Sequence, residues 1–330
     1  MPHHPLHEPV LAWYAADARD LPWRRPGRTP WGVLVSEVML QQTPVSRVLP
    51  AWTAWTARWP DPAALAAEPA AEAIRMWDRL GYPRRALRLH EAAGVMVDRH
   101  GGEVPRDHAD LLALPGVGAY TAAAVASFAF GQRHPVVDTN VRRLLARAVT
   151  GEAQAAPSLT AAETRLAGEL VPDAPGTAAR WAVAAMELGA LVCTARSPRC
   201  GGCPVRDLCR WRRLGAPEAT GPRRRAQGYA GTDRYVRGLL LAALRSATAP
   251  LTAAALVDLV PDAVLRDPLQ RDRALDGLVA DGLVDPLPRN RFQLPGLSAP
   301  TVSVPENPVP KVPAPTPVDS TVAGESSWKR

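Results

Sequence analysis

All four cysteines of this chain lie between residues 193 and 209, in "CTARSPRCGGCPVRDLC". Four thiols in so short a stretch can be tied to one another or to one bound group, and either tie dictates the local fold. Compartment decides between them. The sequence shows no charged-then-apolar leader ending in a small-residue cleavage site. No apolar run reaches the roughly 18 residues that span a bilayer. A soluble cytoplasmic protein with no membrane partner is therefore expected. Thiols stay reduced there, which argues against two disulfides and for a metal centre. Structural zinc sites usually present two close pairs of ligands. Here a single CxxC, "CGGC", stands between Cys193 and Cys209. Four separate thiolates suit a [4Fe–4S] cubane, one sulfur per iron, and Gly201 and Gly202 free the backbone to wrap closely around it. Spacing by itself leaves zinc open.

The net charge is +7 and the isoelectric point near 9.7. From Ser298 onward, Lys311, Lys329 and Arg330 cancel Glu306, Asp319 and Glu325. The excess therefore lies in residues 1 to 297, which fits a polyanionic partner such as nucleic acid. Lysine occurs only at Lys311 and Lys329. A folded active site upstream of them has no amine side chain to use.

The first ~210 residues carry apolar periods near 3.6 and little β-alternation, which predicts a mostly α core. One helical stretch starts at Thr29-Pro30 in "TPWGVLVSEVMLQQTPVSRVLPAWTAWTARW". "PAAEAIRMWDRLG" is expected to end on Gly81, and "RRALRLHEAAGVMVDRHGG" on Gly101-Gly102. "DHADLLALPGVGAYTAAAVASFAFG" reads as two helices joined by "PGVG". Residues 213–233 are Gly-, Pro- and Arg-rich and read as a linker. Residues 234–297 read as three helices and a hairpin, a small winged-helix-like module. Residues 298–330, rich in Pro, Val and Ser, read as a disordered tail.

Three positions inside this frame carry chemistry. In "LPGVGAY", Gly116 and Gly118 would turn the backbone tightly and leave amides exposed at a helix N-terminus, where phosphate binds. An ordinary turn between helices explains the same four residues equally well. In "VVDTNVRR", Asp138 opens a helix and is at the least an N-cap. In "VLVSEVMLQQT", Glu37 lies inside a strongly apolar helix. It is either a paired core charge or a functional acid. Burial would keep such a carboxyl protonated near neutrality, ready to donate.

"LPW" at 21–23, "SEVMLQQT" at 36–43, "LGY" at 80–82, "LPGVGAYTA" at 114–122, "VVDTNVRR" at 136–143 and "ELGALVC" at 187–193 occur in that order. With the cysteine array they resemble the helix-hairpin-helix DNA glycosylases that carry an iron–sulfur cluster. The likeness spans about residues 8–212. That superfamily has an endonuclease III branch and a MutY-type adenine DNA glycosylase branch. Endonuclease III attacks the sugar with a lysine two positions after the hairpin's last glycine. Here Tyr120 occupies that position, so "SEVMLQQT" and "GVGAYTA" resemble the adenine branch.

The resemblance implies a six-helix domain with the hairpin at 30–135 and an iron–sulfur cluster domain at 1–29 and 136–212. It implies a [4Fe–4S] cluster on Cys193, Cys200, Cys203 and Cys209, flanked by Arg196, Arg199 and Arg206 as phosphate partners. It implies a monomer that works in base-excision repair on double-stranded DNA, near the nucleoid, removing adenine opposite 8-oxoguanine or guanine. The base would be flipped out of the stack. Glu37 would protonate it, Asp138 would stabilise the resulting sugar cation, Tyr120 would orient the carboxylates by hydrogen bonding, and Asn140 would hold Asp138 and the sugar region. Trp23, Arg24 and Leu40 would line the base pocket. Gln42, Thr43 and Tyr82 would contact or wedge the opened stack. Val183 departs from the pattern, because many members carry there a Glu or Gln that contacts adenine. A C-terminal Nudix-like domain, found in well-studied members, would not fit into 231–297. Two alternatives are a glycosylase for another mismatched or damaged base and a non-catalytic DNA-binding iron–sulfur protein. The pairing of Glu37 with Asp138 in matched motifs argues against the latter.

Overall fold

The computed structural model describes residues 4–219, 228–260 and 264–297. The expected disorder of the tail and residues 220–227 of the expected linker lie outside the described residues. The described chain is mostly helical, as its periodicity predicts.

The first core gathers α2 (Pro30–Leu40), α3 (Val45–Arg58), α4 (Pro62–Ala66), α5 (Ala70–Trp77), α6 (Arg84–His100), α7 (His108–Ala113) and α8 (Ala119–Phe130). Helix α2 starts where Thr29 accepts a hydrogen bond from the Gly32 amide, with Pro30 at its first position. It is apolar all round, and every residue from Trp31 to Leu40 is buried. In α3 the spacing of "AWTAWTARW" stacks tryptophans on one stripe. Trp55 meets Trp59 at 4.6 Å and Trp77 at 5.7 Å between ring centroids, both edge-to-face. All three are essentially fully buried. Each buries on the order of 200 Å², worth at most about 5 kcal/mol of transfer free energy.

The stretch from Pro30 to Trp59 is not one helix. It breaks at Gln41–Pro44, where Gln42 takes φ 55° and Pro44 disfavours a helical residue before it. Helix α5 likewise ends at Trp77 and not at Gly81, because Asp78 adopts φ 40°. Helix α6 closes on a left-handed Gly101, as expected.

The second core joins α1 (His7–Asp17) to α9 (Thr139–Leu145), α10 (Ala161–Glu169), α11 (Pro175–Leu191) and the cysteine loop. Helix α9 runs into a π turn at Ala146–Thr150 that periodicity does not announce. A short α12 (Arg210–Arg213) follows the last cysteine.

The C-terminal module contains α13 (Asp233–Ser246), β1 (Leu251–Thr252), α14 (Ala253–Asp258), α15 (Gln270–Ala280), β2 (Asp285–Leu287) and β3 (Arg291–Gln293). The expected hairpin is present, with Arg289 and Asn290 at positive φ in its turn. The sheet is antiparallel in the order β1-β3-β2, so Phe292 faces Leu251 on one side and Pro286 on the other. Strand β1 was not anticipated. Nor does the module hang free on its linker. Its core takes in Ala71 and Ile74 of α5, both fully buried, and the Pro295 carbonyl accepts from the Ala71 amide at 2.9 Å.

Candidate active site and metal centre

Glu37 sits near the end of α2 with 4% of its surface exposed. The Tyr120 hydroxyl, on the first turn of α8, donates to its Oε2 at 2.8 Å and lies 3.7 Å from Met186 Sδ of α11. Asp138 is the N-cap of α9, where its Oδ1 accepts from the Asn140 and Val141 amides at 2.9 and 2.7 Å. Its Oδ2 accepts from Asn140 Nδ2 at 2.6 Å. Capping thus occupies one carboxylate oxygen with the helix amides and the other with the Asn140 side-chain amide. Helices α2, α8, α9 and α11 pack on one another around these groups. The approach of α9 to α11 depends on Gly189, where an added Cβ would meet the Asn140 carbonyl at 2.6 Å.

Trp23 and Leu40 are buried in the first core, Trp23 against Trp52 with ring centroids 5.5 Å apart. Arg24 is turned onto Glu187, Nη2 to Oε2 at 2.9 Å. Val183 is half-buried on α11. Gln42 and Tyr82 are exposed, and both line a cavity of about 360 Å³ together with Arg84, Arg88 and Gly116. Buried Thr43 ties the two loops together, its hydroxyl donating to the Gln41 and Leu80 carbonyls at 3.2 Å. Gly116 needs its glycine twice over. Its φ is 77°, and a Cβ would lie 2.6 Å from Arg88 Cβ. Gly118 differs from expectation: as the N-cap of α8 its backbone is extended, with open space where a Cβ would go. Its glycine is not required for the turn.

Several side chains central to this arrangement were not singled out from the sequence. Glu187, fully buried on α11, receives Arg19 through two bonds of 2.6 Å as well as Arg24. Burial alone would raise its pKa, but the two guanidiniums outweigh it and hold the carboxyl at about 2. Arg85 donates from Nη1 to the Val38 and Gln41 carbonyls at 2.8 and 2.6 Å, capping the helix that bears Glu37. Its Nη2 reaches the Gly81 carbonyl at 3.0 Å, and its guanidinium lies 5.4 Å from the Tyr82 ring centroid. Arg143 links Asn140 Oδ1 (2.7 Å) to the Cys193 carbonyl (2.6 Å). Arg19, Arg85 and Arg143 carried no assigned role in the sequence, because which groups they meet depends on distant segments.

All four cysteines line one small cavity with Leu144, Arg147 and Val205. Burial, together with the charges of Cys193, Cys200 and Cys209, pushes the Cys203 thiol up to about 11. Buried Arg147 donates from Nη1 to Cys193 Sγ at 3.5 Å and to the Thr194 carbonyl at 2.7 Å. Four thiols around one cavity with an arginine to offset thiolate charge fit an iron–sulfur group. Among the described residues no three His, Cys, Asp or Glu converge as ligands of a single ion. Arg196, Arg199 and Arg206 are exposed around this loop.

Residues 35–168 match the HhH-GPD superfamily of base excision DNA repair proteins, and residues 193–209 match the iron–sulfur binding domain of endonuclease III. The chain is 55% identical over 296 residues to the adenine DNA glycosylase of Mycobacterium tuberculosis, covering 89% of this chain and 95% of that protein. The chain belongs to the adenine DNA glycosylase family. It is 45% identical over 213 residues to the human adenine DNA glycosylase, covering 62% of this chain and 38% of that one. Among solved structures it resembles a thermostable thymine-DNA glycosylase at TM-score 0.56 and 31% identity, over 62% of this chain and 94% of that one. A non-covalent endonuclease III–DNA complex follows at TM-score 0.53 and 26% identity, again over 62% and 94%. Within the family, the long match to the mycobacterial relative extends beyond the part shared with the human one.

Proposed function

We propose that this family member is a monofunctional enzyme of base-excision repair. It binds duplex DNA as a monomer, flips out an adenine paired with 8-oxoguanine or guanine, and hydrolyses its N-glycosidic bond. The Tyr120–Glu37 hydrogen bond carries this reading. It places a phenol where a lyase would need an amine, and directs that phenol at the acid.

Glu37 gives its proton to N7 of the flipped base, which makes adenine a better leaving group. Tyr120 orients that carboxyl. Asp138 remains a carboxylate and stabilises the oxocarbenium-like sugar, or adds to it transiently, before water attacks. Asn140 holds Asp138 in place. Trp23, Arg24 and Leu40 line the base pocket, and Val183 leaves one side of it without a polar partner. Gln42 and Tyr82 occupy the opened stack, with Thr43 beneath them tying their two loops together, while Gly116 and Gly118 bring hairpin amides to a phosphate. Cys193, Cys200, Cys203 and Cys209 would hold a [4Fe–4S] cluster, which would supply no chemistry to base release. Arg196, Arg199 and Arg206, on the loop those cysteines would tie down, meet the phosphate backbone.

We take the domain limits as 30–135 for the six-helix domain, 1–29 with 136–212 for the cluster domain, and 234–297 for a winged-helix-like module. No helix of the described residues is long and apolar enough to cross a membrane. The duplex DNA proposed as its substrate implies a place beside the nucleoid in the cytoplasm.

The test is single-turnover base release on duplexes holding A opposite 8-oxoguanine, A opposite G, T opposite G, and thymine glycol. Adenine release from the first two alone is expected. Glu37→Gln and Asp138→Asn should bind the duplex and lose at least about 100-fold in rate. A variant that kept its rate would remove that residue from the mechanism. Preferential release of thymine or thymine glycol would move the chain to another specificity.

A further inference from the structure

The segment that carries Tyr82 is an arch with two feet. Asp78 at one foot and Tyr82 at the crown both hold left-handed backbone, φ 40° and 50°. Residues with a Cβ keep such conformations only where their surroundings impose them. The inner side of the arch is held by the catalytic domain. Trp77 Nε1 and Arg85 Nη2 donate to the Gly81 carbonyl at 2.9 and 3.0 Å, and Arg47 donates to the Arg79 carbonyl.

The outer side is held by the C-terminal module. At the first foot, Arg245 of α13 donates from Nη1 to the Asp78 carbonyl. Arg75, one turn earlier on α5, donates to the Arg245 and Ala247 carbonyls at 3.3 and 3.4 Å. At the second foot, Asp281, just past α15, pairs with Arg84 at 3.1 Å and with Arg237 of its own module. Leu87, one turn along α6, packs against the module's core. Between these feet, Tyr82 is 48% exposed and lines the 360 Å³ cavity beside Gln42 and Gly116.

An apolar interface alone would attach the module to α5. The polar contacts go further, because they grip a loop carbonyl and the arginine two residues after Tyr82. We propose that the C-terminal module is a positioning element for Tyr82, fixing both ends of the 78–84 arch so that the ring meets the duplex already in place. Ordering the loop in the free protein removes a cost that would otherwise fall due on binding and flipping. The inference rests on the reading of Tyr82 as the wedge in the opened stack.

The experiment is a double-mutant cycle on the full chain. Asp281→Asn combined with Arg245→Gln loosens the feet, and Tyr82→Ala removes the ring. Single-turnover adenine release, duplex affinity and thermal midpoint are measured for each, at a temperature well below every midpoint. With Tyr82 present, loosening the feet should slow release about tenfold, the size of coupling expected within one contact network. In the Tyr82→Ala background the same changes should cost less than about twofold, since nothing remains to be positioned. Asp281→Glu, which keeps the ion pair, should restore most of the rate. Equal losses in both backgrounds would overturn the proposal and leave the module a stabilising attachment. Tighter duplex binding by Asp281→Asn would overturn it too, by showing that Asp281 only masks the Arg84 charge from phosphate. If Tyr82→Ala alone changes neither rate nor affinity, the wedge reading itself falls, an outcome distinct from the other two.

Discussion

Glu37 and Glu187 are the same kind of residue in the same kind of place, each a buried carboxyl in a largely apolar helix. Their hydrogen-bond partners differ. Glu37 has a phenol against its carboxyl. Glu187 has two guanidiniums, which hold it at about 2 against an ordinary value of 4.5. A folded pKa below the unfolded one means stability that is complete above about 4.5 and is lost as pH falls towards 2. Thermal midpoints of the protein and of Glu187→Gln should therefore converge over that window. Near neutrality the variant should be less stable by roughly 3–5 kcal/mol, since two arginines then face a neutral amide. Midpoints that fall in parallel would show that Glu187 is not the ion that matters there. Both acids carry the same signal in the sequence, an acid among apolar residues, and it was read at Glu37 and passed over at Glu187. It does not separate them, because Arg19 and Arg24 reach Glu187 across more than 160 residues of chain.

At the scale of elements, the cysteine loop was the most legible. Its spacing named the four candidate ligands, and the fold brings all four to one cavity. Arg147 was not legible, because it reaches Cys193 from the π turn after α9, and a π turn has no sequence period of its own. The loop yields a simple expectation. Protein prepared without oxygen should be brown and carry close to one cubane per chain by iron and sulfide analysis, and Cys200→Ser should weaken duplex binding more than base release. Stoichiometric zinc with no iron would sink the cluster. Helix ends were the least legible feature of the elements. The breaks at Gln41–Pro44 and at Asp78 come from residues other than glycine at positive φ. Arginines from distant segments meet the backbone at both breaks, Arg85 on the Gln41 carbonyl and Arg245 on the Asp78 carbonyl.

For the whole molecule, the absence of lysine before Lys311 has a direct chemical consequence. A lyase needs an amine to form an iminium with the sugar aldehyde, and Tyr120 has none. The product should be an intact strand bearing an abasic site, cleaved only on heating in alkali. Base release and strand nicking, timed on one duplex with borohydride present, check this. Nicking that keeps pace with release, with a trapped covalent complex, would return the chain to the endonuclease III branch.

The sequence by itself determined the helical class, the four thiols, the two motif carboxylates, the tyrosine in place of a lysine and the hairpin near the C-terminus. These are local facts of period, spacing and residue type, which survive without knowledge of what lies opposite. Only the tertiary structure decided which acid meets a phenol and which meets two arginines. It alone decided which carbonyls the arginines cap, and that the last module packs on α5 and grips the Tyr82 arch. The reason is the range of the interactions. Hydrophobic period and capping act within a few residues, whereas a buried charge takes its meaning from groups that the chain brings together only after folding.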